Sequence, residues 1–419
     1  MQLLRLSLML VVFVDVMGQG LILPIINTLL IDPNSTFLPA SMGHGTREVY
    51  YGVLMATFYV FWFFGAAYIS KLSDYIGRKN GMVICLIGAL AGYMLTIVAI
   101  EMSNYYLLLV GRAISGFTAG NQPIAQAALV DLSHNDEERT RNMGRVVAAL
   151  ALGLVAGPLI AGILSDKAII GDYASLALPF WVAALLVFIT LMMVQFFYSD
   201  TRKERRKIDF GVSEVFVNLL RVRGRPTIIK VAVVWFFAEL GLNAFFVYVN
   251  DYTITVFDFS TFDNSVLMIV FGLVMAFTSG FLASRLTARY RKVPTTGAAV
   301  ALMMVSLAVF TLNSNPDLVY VLLVPIIIGF GVAYPTMLAL FAASAGEQEQ
   351  GWVMGVAIAL FTLGTGMISL VGGALMALDP RYPFLVGIAA YAIALFFIFT
   401  LWRQDDVQAL DPKPVKGKA

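Results

Sequence analysis

The chain has 419 residues, of which 59% are hydrophobic and 13% are charged, and its formal net charge is +2. Soluble domains carry about 25% charged residues, so this composition excludes a large soluble protein and indicates a polytopic membrane protein. The small net charge gives no reason to expect a nucleic-acid partner. A single cysteine, Cys85, excludes an intrachain disulfide. The two histidines, His44 and His134, fall in predicted loops, which argues against a histidine-built metal or catalytic site.

Twelve segments are apolar over the roughly 20 residues that a membrane-spanning helix needs. In chain order, these predicted spans are 6–30, 49–70, 81–100, 105–132, 143–165, 176–198, 227–250, 265–285, 293–312, 318–345, 351–378 and 382–402. No small-residue cleavage site follows the first segment, so it is predicted to be a retained span and not a signal peptide.

Lysine and arginine residues are concentrated in the loops on one side of the predicted membrane. The loops on that side, called the basic side below, are 71–79, 139–145, 202–230 and 285–292. The opposite loops carry only Arg47, Lys167 and Arg381. This asymmetry predicts that the basic side and both termini face the cytoplasm.

Two segments outside the spans have a distinct composition. The predicted linker 199–226 contains a basic run, Thr201–Lys207, which suits a topology anchor beside acidic lipid. Within it, Val212–Val222 has the apolar spacing of an amphipathic helix on the membrane surface. The tail after Arg403 is polar and is predicted to be disordered.

The two halves of the chain repeat one another. Ser70–Tyr75 is echoed by Ser284–Arg289, although Ala288 replaces the acid of the first copy and no glycine matches Gly77. Further matches in the same order are Pro123 with Pro335, Gly153 with Gly364, Gly162 with Gly373, and Pro179 with Pro383. The common order predicts two pseudo-symmetric six-helix halves, 1–198 and 227–402, joined by the linker and followed by the tail 403–419. Parallel repeats of this kind are typical of alternating-access carriers, in which substrate passes between the halves.

Three ionisable residues stand out well inside predicted spans: Asp15, Arg112 and Glu239. A charge in this position costs about 2.5–3.5 kcal/mol on insertion scales and is a functional candidate. One interpretation is structural, with Arg112 satisfied by a carboxylate and by helix carbonyls. The other is proton coupling, in which a change in hydration or in the distance to Arg112 makes a carboxylate take up and release a proton. Asp15 is the first candidate for that role, and Glu239 holds a similar place in the other half.

Uncharged polar residues share these spans, and in lipid they must face the protein interior or a water-filled cavity. They are predicted either to bond neighbouring helices or to line a substrate cavity. The candidates are Gln19, Asn121, Gln122, Gln126 and Asn243.

The fifth span carries small residues at intervals of four to five, Gly153, Gly157 and Gly162, with Pro158 among them. Small residues allow helices to approach closely, and a proline can bend a helix. The pattern predicts either tight packing alone or a bent, sliding surface between the halves.

The stretch Ser70–Asn80 is predicted to be a short polar hairpin. Gly77 allows a tight turn, and Asp74 can lie near the N-terminus of the next helix, where negative charge is favoured.

Together these motifs resemble the major facilitator superfamily, and within it the twelve-span drug/proton antiporters related to tetracycline exporters. The resemblance covers the whole membrane region. The motifs that carry it are Asp15-x-x-Gly18, Asp74-x-x-Gly77-Arg78-Lys79, Arg112-x-x-x-Gly116 and Gly153-x-x-x-Gly157-Pro158-x-x-x-Gly162.

The resemblance implies roles for several residues. It implies that Arg112 takes part in proton transfer and that Asp74, Arg78 and Asp131 form a charge network that closes the cytoplasmic side. The fifth-span motif favours export over uptake. Two departures narrow the substrate. The ninth span lacks the carboxylate of tetracycline exporters, which argues against tetracycline itself, and the region after the sixth span lacks the signature of sugar carriers, which argues against sugar uptake.

The leading hypothesis is a proton-driven exporter of a small organic compound, such as a drug, a siderophore or a metabolite. The chain is expected to act as a monomer in the lipid bilayer of a bacterial inner membrane, with no cofactor and the proton gradient as its energy source. The alternative is a proton-coupled importer or facilitator of a nutrient such as an amino acid or a nucleoside. An enzyme is not expected, because the spans carry no histidine and no evident nucleophile–base pair.

Overall fold

The computed structural model describes residues 2–32, 34–132, 136–199, 221–346 and 349–411. Within these ranges the chain is helical and contains no strand. Eleven of the described helices are long and apolar enough to cross a membrane. The prediction of an all-α, multi-pass membrane protein is therefore confirmed.

The spans keep their sequence numbering. Their helices are Gln2–Leu30 (first), His44–Ile76 (second), Arg78–Glu101 (third), Tyr105–Phe117 and Asn121–Asp131 (fourth), Asp136–Ser165 (fifth), Leu178–Phe197 (sixth), Pro226–Phe257 (seventh), Thr261–Phe277 and Ala283–Arg289 (eighth), Lys292–Thr311 (ninth), Val319–Ala343 (tenth), Gln350–Leu378 (eleventh) and Tyr382–Thr400 (twelfth).

The fourth span is interrupted, which is why eleven continuous spanning helices are found where twelve were predicted. Its first helix ends at Phe117 and its second begins at Asn121. Pro123 lies in the first turn of the second helix; it has no N–H to donate, and its ring crowds the carbonyl four residues earlier. The prediction of one unbroken helix over 105–132 is therefore wrong at 118–120, and a helix N-terminus is created inside the membrane segment.

The hairpin between the second and third spans is tighter than predicted. The second helix continues through most of the polar stretch to Ile76, and the third begins at Arg78. Only Gly77 separates them, with a φ of 98°, a conformation that L side chains rarely adopt. The polar residues of this stretch therefore extend the two helices and do not form a loop.

The eighth span changes its winding in the middle. Residues Thr278–Leu282 form a π-helical turn between its two α-helical parts. At this turn the hydroxyl of Ser279 donates to the carbonyl of Gly331 at 3.2 Å. A Cβ on Gly331 would lie 2.7 Å from Cβ of Thr278, so the tenth span packs directly on the π turn.

The chain divides into two compact units. The first contains Met1–Phe210 and Thr253–Ile269, and the second contains Gly211–Tyr252 and Val270–Ala419. The predicted boundaries of the two halves stay a prediction. The predicted amphipathic helix over 212–222 lies outside the described residues except at its end, where Arg221–Gly224 form a 3-10 turn.

The tail is folded as far as Asp411, although the sequence predicted disorder. A helical turn forms at Asp405–Gln408, and Trp402, Val407 and Asp411 are buried. The expectation of disorder after Arg403 is therefore wrong for residues 404–411. The polar side chains of this segment form hydrogen bonds with the seventh and ninth spans. The sequence does not reveal these partners.

Candidate functional site

Asp15 lies at the break in the fourth span. Its carboxylate accepts a hydrogen bond from the backbone N–H of Gln122, the second residue of the helix Asn121–Asp131. The first N–H groups of a helix have no partner within it, and the helix dipole favours an anion at this end. The interruption of the fourth span therefore gives Asp15 a backbone partner inside the membrane segment.

Tyr93 of the third span lies beside Asp15 and also near Arg112, close enough to interact electrostatically with both. Gly18, one turn after Asp15, makes room for it: a Cβ on Gly18 would lie 1.8 Å from the Tyr93 hydroxyl oxygen. The glycine of the first-span motif is therefore needed so that Tyr93 can reach this site.

Arg112 is buried, with 3% of its surface exposed. Its guanidinium carbon lies 4.2 Å from the ring centroid of Phe58, which is the geometry of a cation–π contact. Tyr51 and Tyr59 lie within electrostatic reach of the guanidinium. Among the residues that the structure describes, no carboxylate forms an ion pair with Arg112, so the ion-pair interpretation gains no support here.

Glu239 of the seventh span is the counterpart of Asp15 in the second unit, and its surroundings differ. It is 2% exposed, and neither carboxylate oxygen has a hydrogen-bond partner among the described residues. Tyr334 and Tyr391 lie within electrostatic reach. Ionising a buried carboxylate that has no hydrogen-bond partner costs free energy. Glu239 must therefore be protonated in this state or be kept for a functional reason.

Aromatic residues surround this part of the seventh span. The indole N–H of Trp235, one turn before Glu239, donates to the carbonyl of Ala357 at 3.0 Å. The rings of Trp235 and Tyr334 have centroids 5.3 Å apart. A Cβ on Gly241 would lie 2.7 Å from the ring of Tyr391. Glu239 is thus held in a packed aromatic environment with little freedom to find a polar partner.

The uncharged polar candidates have different surroundings. Asn121 is buried and its side-chain oxygen has no hydrogen-bond partner in the described part of the chain. Asn243 is buried and donates to the backbone carbonyl of Glu239 at 2.8 Å, so it is satisfied within its own helix. Gln19, Gln122 and Gln126 are half-buried. Their assignment to a substrate cavity stays a prediction.

The fifth-span glycines pack against the backbone of the first span. A Cβ on Gly157 would lie 2.2 Å from the carbonyl oxygen of Met17, and one on Gly153 would lie 2.8 Å from that of Phe13. Pro158 lies inside the helix without breaking it, and its ring would lie 2.9 Å from a Cβ on Gly20. These contacts favour the tight-packing interpretation, since both helices belong to the first unit.

The last glycine of the motif has another partner. A Cβ on Gly162 would lie 2.7 Å from Cβ of Ser265, a residue of the eighth span that clusters with the first unit. The nearby hydroxyls of Thr28 and Thr261 are 2.7 Å apart. Neither the glycine spacing nor the repeat pointed to this partner.

The predicted gate network is described only in part. The side chains of Asp74 and Asp131 lie outside the described residues. Gly77 has the left-handed φ that its place in the motif requires, and Arg78 is half-buried. Lys79 donates to the carbonyl of Gln195 at 2.7 Å, which ties the hairpin to the end of the sixth span. The network itself stays a prediction.

Besides Asp411, three buried charged residues among those described were not predicted to be buried. Arg47 donates to the carbonyl of Leu30 at 3.3 Å and so caps the end of the first span. Glu48 is fully buried and lies 3.1 Å from His44. Asp251 is fully buried in the seventh helix, which continues to Phe257, seven residues beyond its predicted end at 250. The β-branched and aromatic residues at 252–257 were the signal that could have extended the span.

The fold and the intramembrane carboxylates describe a membrane carrier. In the described residues, no group of three or more histidine, cysteine or acidic side chains is placed to hold a metal ion. The sequence profile of the Major Facilitator Superfamily matches residues 8–365 and 278–418. The chain therefore belongs to the Major Facilitator Superfamily, a family of transporters and not of enzymes, as predicted.

Individual relatives agree with the predicted branch of the family. The chain is 25% identical over 412 residues to the tetracycline resistance protein, class B, of Escherichia coli, and the match covers 95% of this chain and 96% of that protein. It is 22% identical over 378 residues to the quinolone resistance protein NorA of Staphylococcus aureus (strain MSSA476), with coverage of 90% and 91%. The crystal structure of a D-xylose-proton symporter is similar with a TM-score of 0.77, at 13% identity and 99% coverage of both chains. The predicted relation to drug-efflux proteins and the major facilitator fold are confirmed.

Proposed function

We propose that this transporter is a proton-coupled antiporter that exports a small organic compound by alternating access. The observation that carries the proposal is Glu239, a carboxylate that is 2% exposed and has no hydrogen-bond partner on either oxygen among the residues that the structure describes. The relatives named for tetracycline and quinolone resistance support export of a drug-like compound.

Glu239 is the proposed proton carrier. An ionised carboxylate in an apolar site loses its hydration without compensation, so we infer that Glu239 is protonated in the conformation described here. A conformation that opens this site to water, or brings a positive charge near it, would release the proton. Such a difference between two conformations is what couples proton flow to transport.

Asp15 has a different proposed role. The Asp15 carboxylate accepts the N–H of Gln122 at the start of the helix Asn121–Asp131, a hydrogen bond that has no counterpart at Glu239 among the described residues. We infer that Asp15 fixes the position of the helix Asn121–Asp131 and that Tyr93 links Asp15 electrostatically to Arg112. This inference moves the first choice of proton carrier from Asp15 to Glu239.

The remaining parts of the cycle follow the sequence motifs. Asp74, Gly77, Arg78 and Asp131 are proposed to close the cytoplasmic side during transport. The proton gradient is the proposed energy source. The asymmetry of basic loops supports a bacterial inner-membrane protein with both termini in the cytoplasm.

Transport by purified protein in liposomes tests the proposal. Tetracycline and norfloxacin are the first compounds to try, because the relatives' names indicate those two classes. We expect compound to move against its gradient when protons flow the other way, and we expect nigericin, which collapses the pH gradient, to stop it. Transport that is unchanged by nigericin, or that moves compound together with protons, would overturn the proposal. A thermal-shift screen of antibiotics, siderophores, amino acids and nucleosides identifies the next compounds to test.

A further inference from the structure

The segment after the twelfth span, residues 402–411, folds back onto the second unit, and it is called the strap below. Its aromatic end is fixed by Trp402, which is fully buried and donates its indole N–H to the carbonyl of Lys230 at 3.0 Å. Val407 in the middle of the strap is also fully buried. The strap is therefore part of the packed structure of this unit.

At its far end the strap caps the ninth span. The carboxylate of Asp411 accepts the backbone N–H of Lys292 at 2.8 Å and that of Val293 at 2.9 Å. These are the first two residues of the ninth helix, and the third is Pro294, which has no N–H. Asp411, which is 1% exposed, therefore satisfies both available N–H groups of that first turn, which the helix itself cannot satisfy.

Arg291, the residue immediately before the ninth helix, strengthens the same contact. Its side chain donates to the backbone carbonyls of Asp411 at 2.9 Å and of Gln408 at 3.2 Å. Its guanidinium also lies 3.6 Å from the Asp411 carboxylate. Arg291 and Lys292 follow the second repeat copy, Ser284–Arg289, as Arg78 and Lys79 follow the first. They are thus bound to the strap through the Arg291 side chain and the Lys292 backbone.

The strap also holds the beginning of the seventh span, the span that carries Glu239. Lys230 donates to both carboxylate oxygens of Asp406 at 2.8 Å, and the hydroxyl of Thr227 donates to Asp406 at 2.7 Å. These hydrogen bonds hold the pKa of Asp406 below its ordinary value, and the one from Lys230 contributes most. The seventh and ninth spans are therefore joined at their basic-side ends by one short segment.

The repeat gives this arrangement a meaning. The first copy of the loop motif has its own acid, Asp74, whereas the second copy has Ala288 at the matching place. We propose that Asp411 is a positioning residue of the transport cycle: it supplies, from the end of the chain, the carboxylate that the second copy lacks. Through it the strap fixes the seventh and ninth spans to one another, so that the helix carrying Glu239 moves together with the rest of its unit.

The contact of Asp411 with the first turn of the ninth span is called the clamp below. Hydrogen exchange tests this clamp without any substrate. Asp411→Asn keeps the size of the side chain but cannot accept two N–H groups with full negative charge. We expect exchange at the first turn of the ninth span to become about tenfold faster. Asp405→Asn is the matched control, because Asp405 is exposed and belongs to the same strap. Unchanged exchange in Asp411→Asn would overturn the clamp.

Transport kinetics test the positioning role, which rests on the proposed function. With tetracycline or norfloxacin, whichever the unmodified protein transports, Asp411→Asn should lower turnover about tenfold and leave KM unchanged. Asp411→Glu, which keeps the charge, should recover part of both the exchange protection and the turnover. Faster exchange with normal turnover, or a change in KM alone, would overturn the positioning role. Failure of the unmodified protein to couple transport to protons would count against the proposed function and leave the exchange result to decide the clamp.

Discussion

Asp15 and Glu239 occupy similar places in the repeat but have opposite surroundings. Asp15 accepts a backbone N–H from a helix that begins inside the membrane segment. Glu239 lies in a continuous helix among aromatic residues and has no hydrogen-bond partner among the described residues. A hydrogen bond to a carboxylate favours its charged form, whereas burial without one favours the protonated form. The difference supports our proposal that Asp15 positions the fourth span and that Glu239 binds the proton.

The largest effect is expected from Glu239→Gln. Glutamine has nearly the same shape but cannot exchange a proton, so accumulation of compound against its gradient should disappear while binding remains. Uptake driven by a pH gradient in proteoliposomes measures this effect. Glu101→Gln serves as the control, because Glu101 is exposed at the end of the third span. Full gradient-driven transport by Glu239→Gln would remove the distinction between the two carboxylates.

Gly157→Ala should damage the scaffold around Asp15. The new Cβ would lie 2.2 Å from the carbonyl oxygen of Met17, so the first and fifth spans would have to move apart at a cost of about 1–3 kcal/mol. The melting temperature of the purified protein should fall accordingly. Gly144→Ala in the same helix has open space around it and should be neutral or slightly stabilising. Equal melting temperatures for the two variants would mean that the motif is not a packing device.

Asp15→Asn should have a smaller effect than Glu239→Gln. The amide oxygen can still accept the N–H of Gln122, so the structure should be kept, but the lost charge should slow transport about tenfold. Transport should remain coupled to the pH gradient.

Asp15→Leu removes the hydrogen-bond acceptor as well and should lower stability by about 1–3 kcal/mol. Thermal melting and initial transport rates of the two Asp15 variants separate the structural from the electrostatic contribution. Loss of coupling in Asp15→Asn would identify Asp15 as the proton carrier.

The smallest effect concerns the ion pair at the strap. Asp406 has a pKa below its ordinary value of 3.8 because of Lys230 and Thr227, so the pair stabilises the fold above that pH and loses its contribution as the pH falls below it. Since about a third of the Asp406 side chain is exposed, solvent limits the gain to about 0.2–1 kcal/mol. The unmodified protein should melt slightly above Asp406→Asn at about pH 7, and the gap should narrow as the pH falls below 3.8. A gap that widens on acidification would contradict this assignment.

The sequence predicted the parts of the fold that hydropathy controls. Composition and spacing predicted the spans, the three intramembrane charges and the glycine motif. Within lipid, a charged group must face the protein interior or water, and small residues mark close helix contacts, so both stand out in an apolar span. The conformation of Gly77 also follows from its place in a tight hairpin.

Other features depend on which distant groups meet. The break at 118–120 lies in a segment long enough for one continuous span, and Pro123 was the local signal for it. The hydrogen bond from Gln122 to Asp15 and the contact of Asp411 with the ninth span join residues more than a hundred positions apart. A polar tail of low hydropathy reads as disordered unless its partners are known, which explains the wrong prediction for residues 404–411.

Proton release on binding tests the assignment of Glu239 most directly. Unbuffered purified protein with a pH-indicator dye is mixed with tetracycline or norfloxacin, and the change in the dye's absorbance reports released protons. We predict that the unmodified protein and Asp15→Asn release protons when compound binds, and that Glu239→Gln binds compound without release. Release by Glu239→Gln at the level of the unmodified protein, with none from Asp15→Asn, would contradict the assignment and return the proton to the first unit.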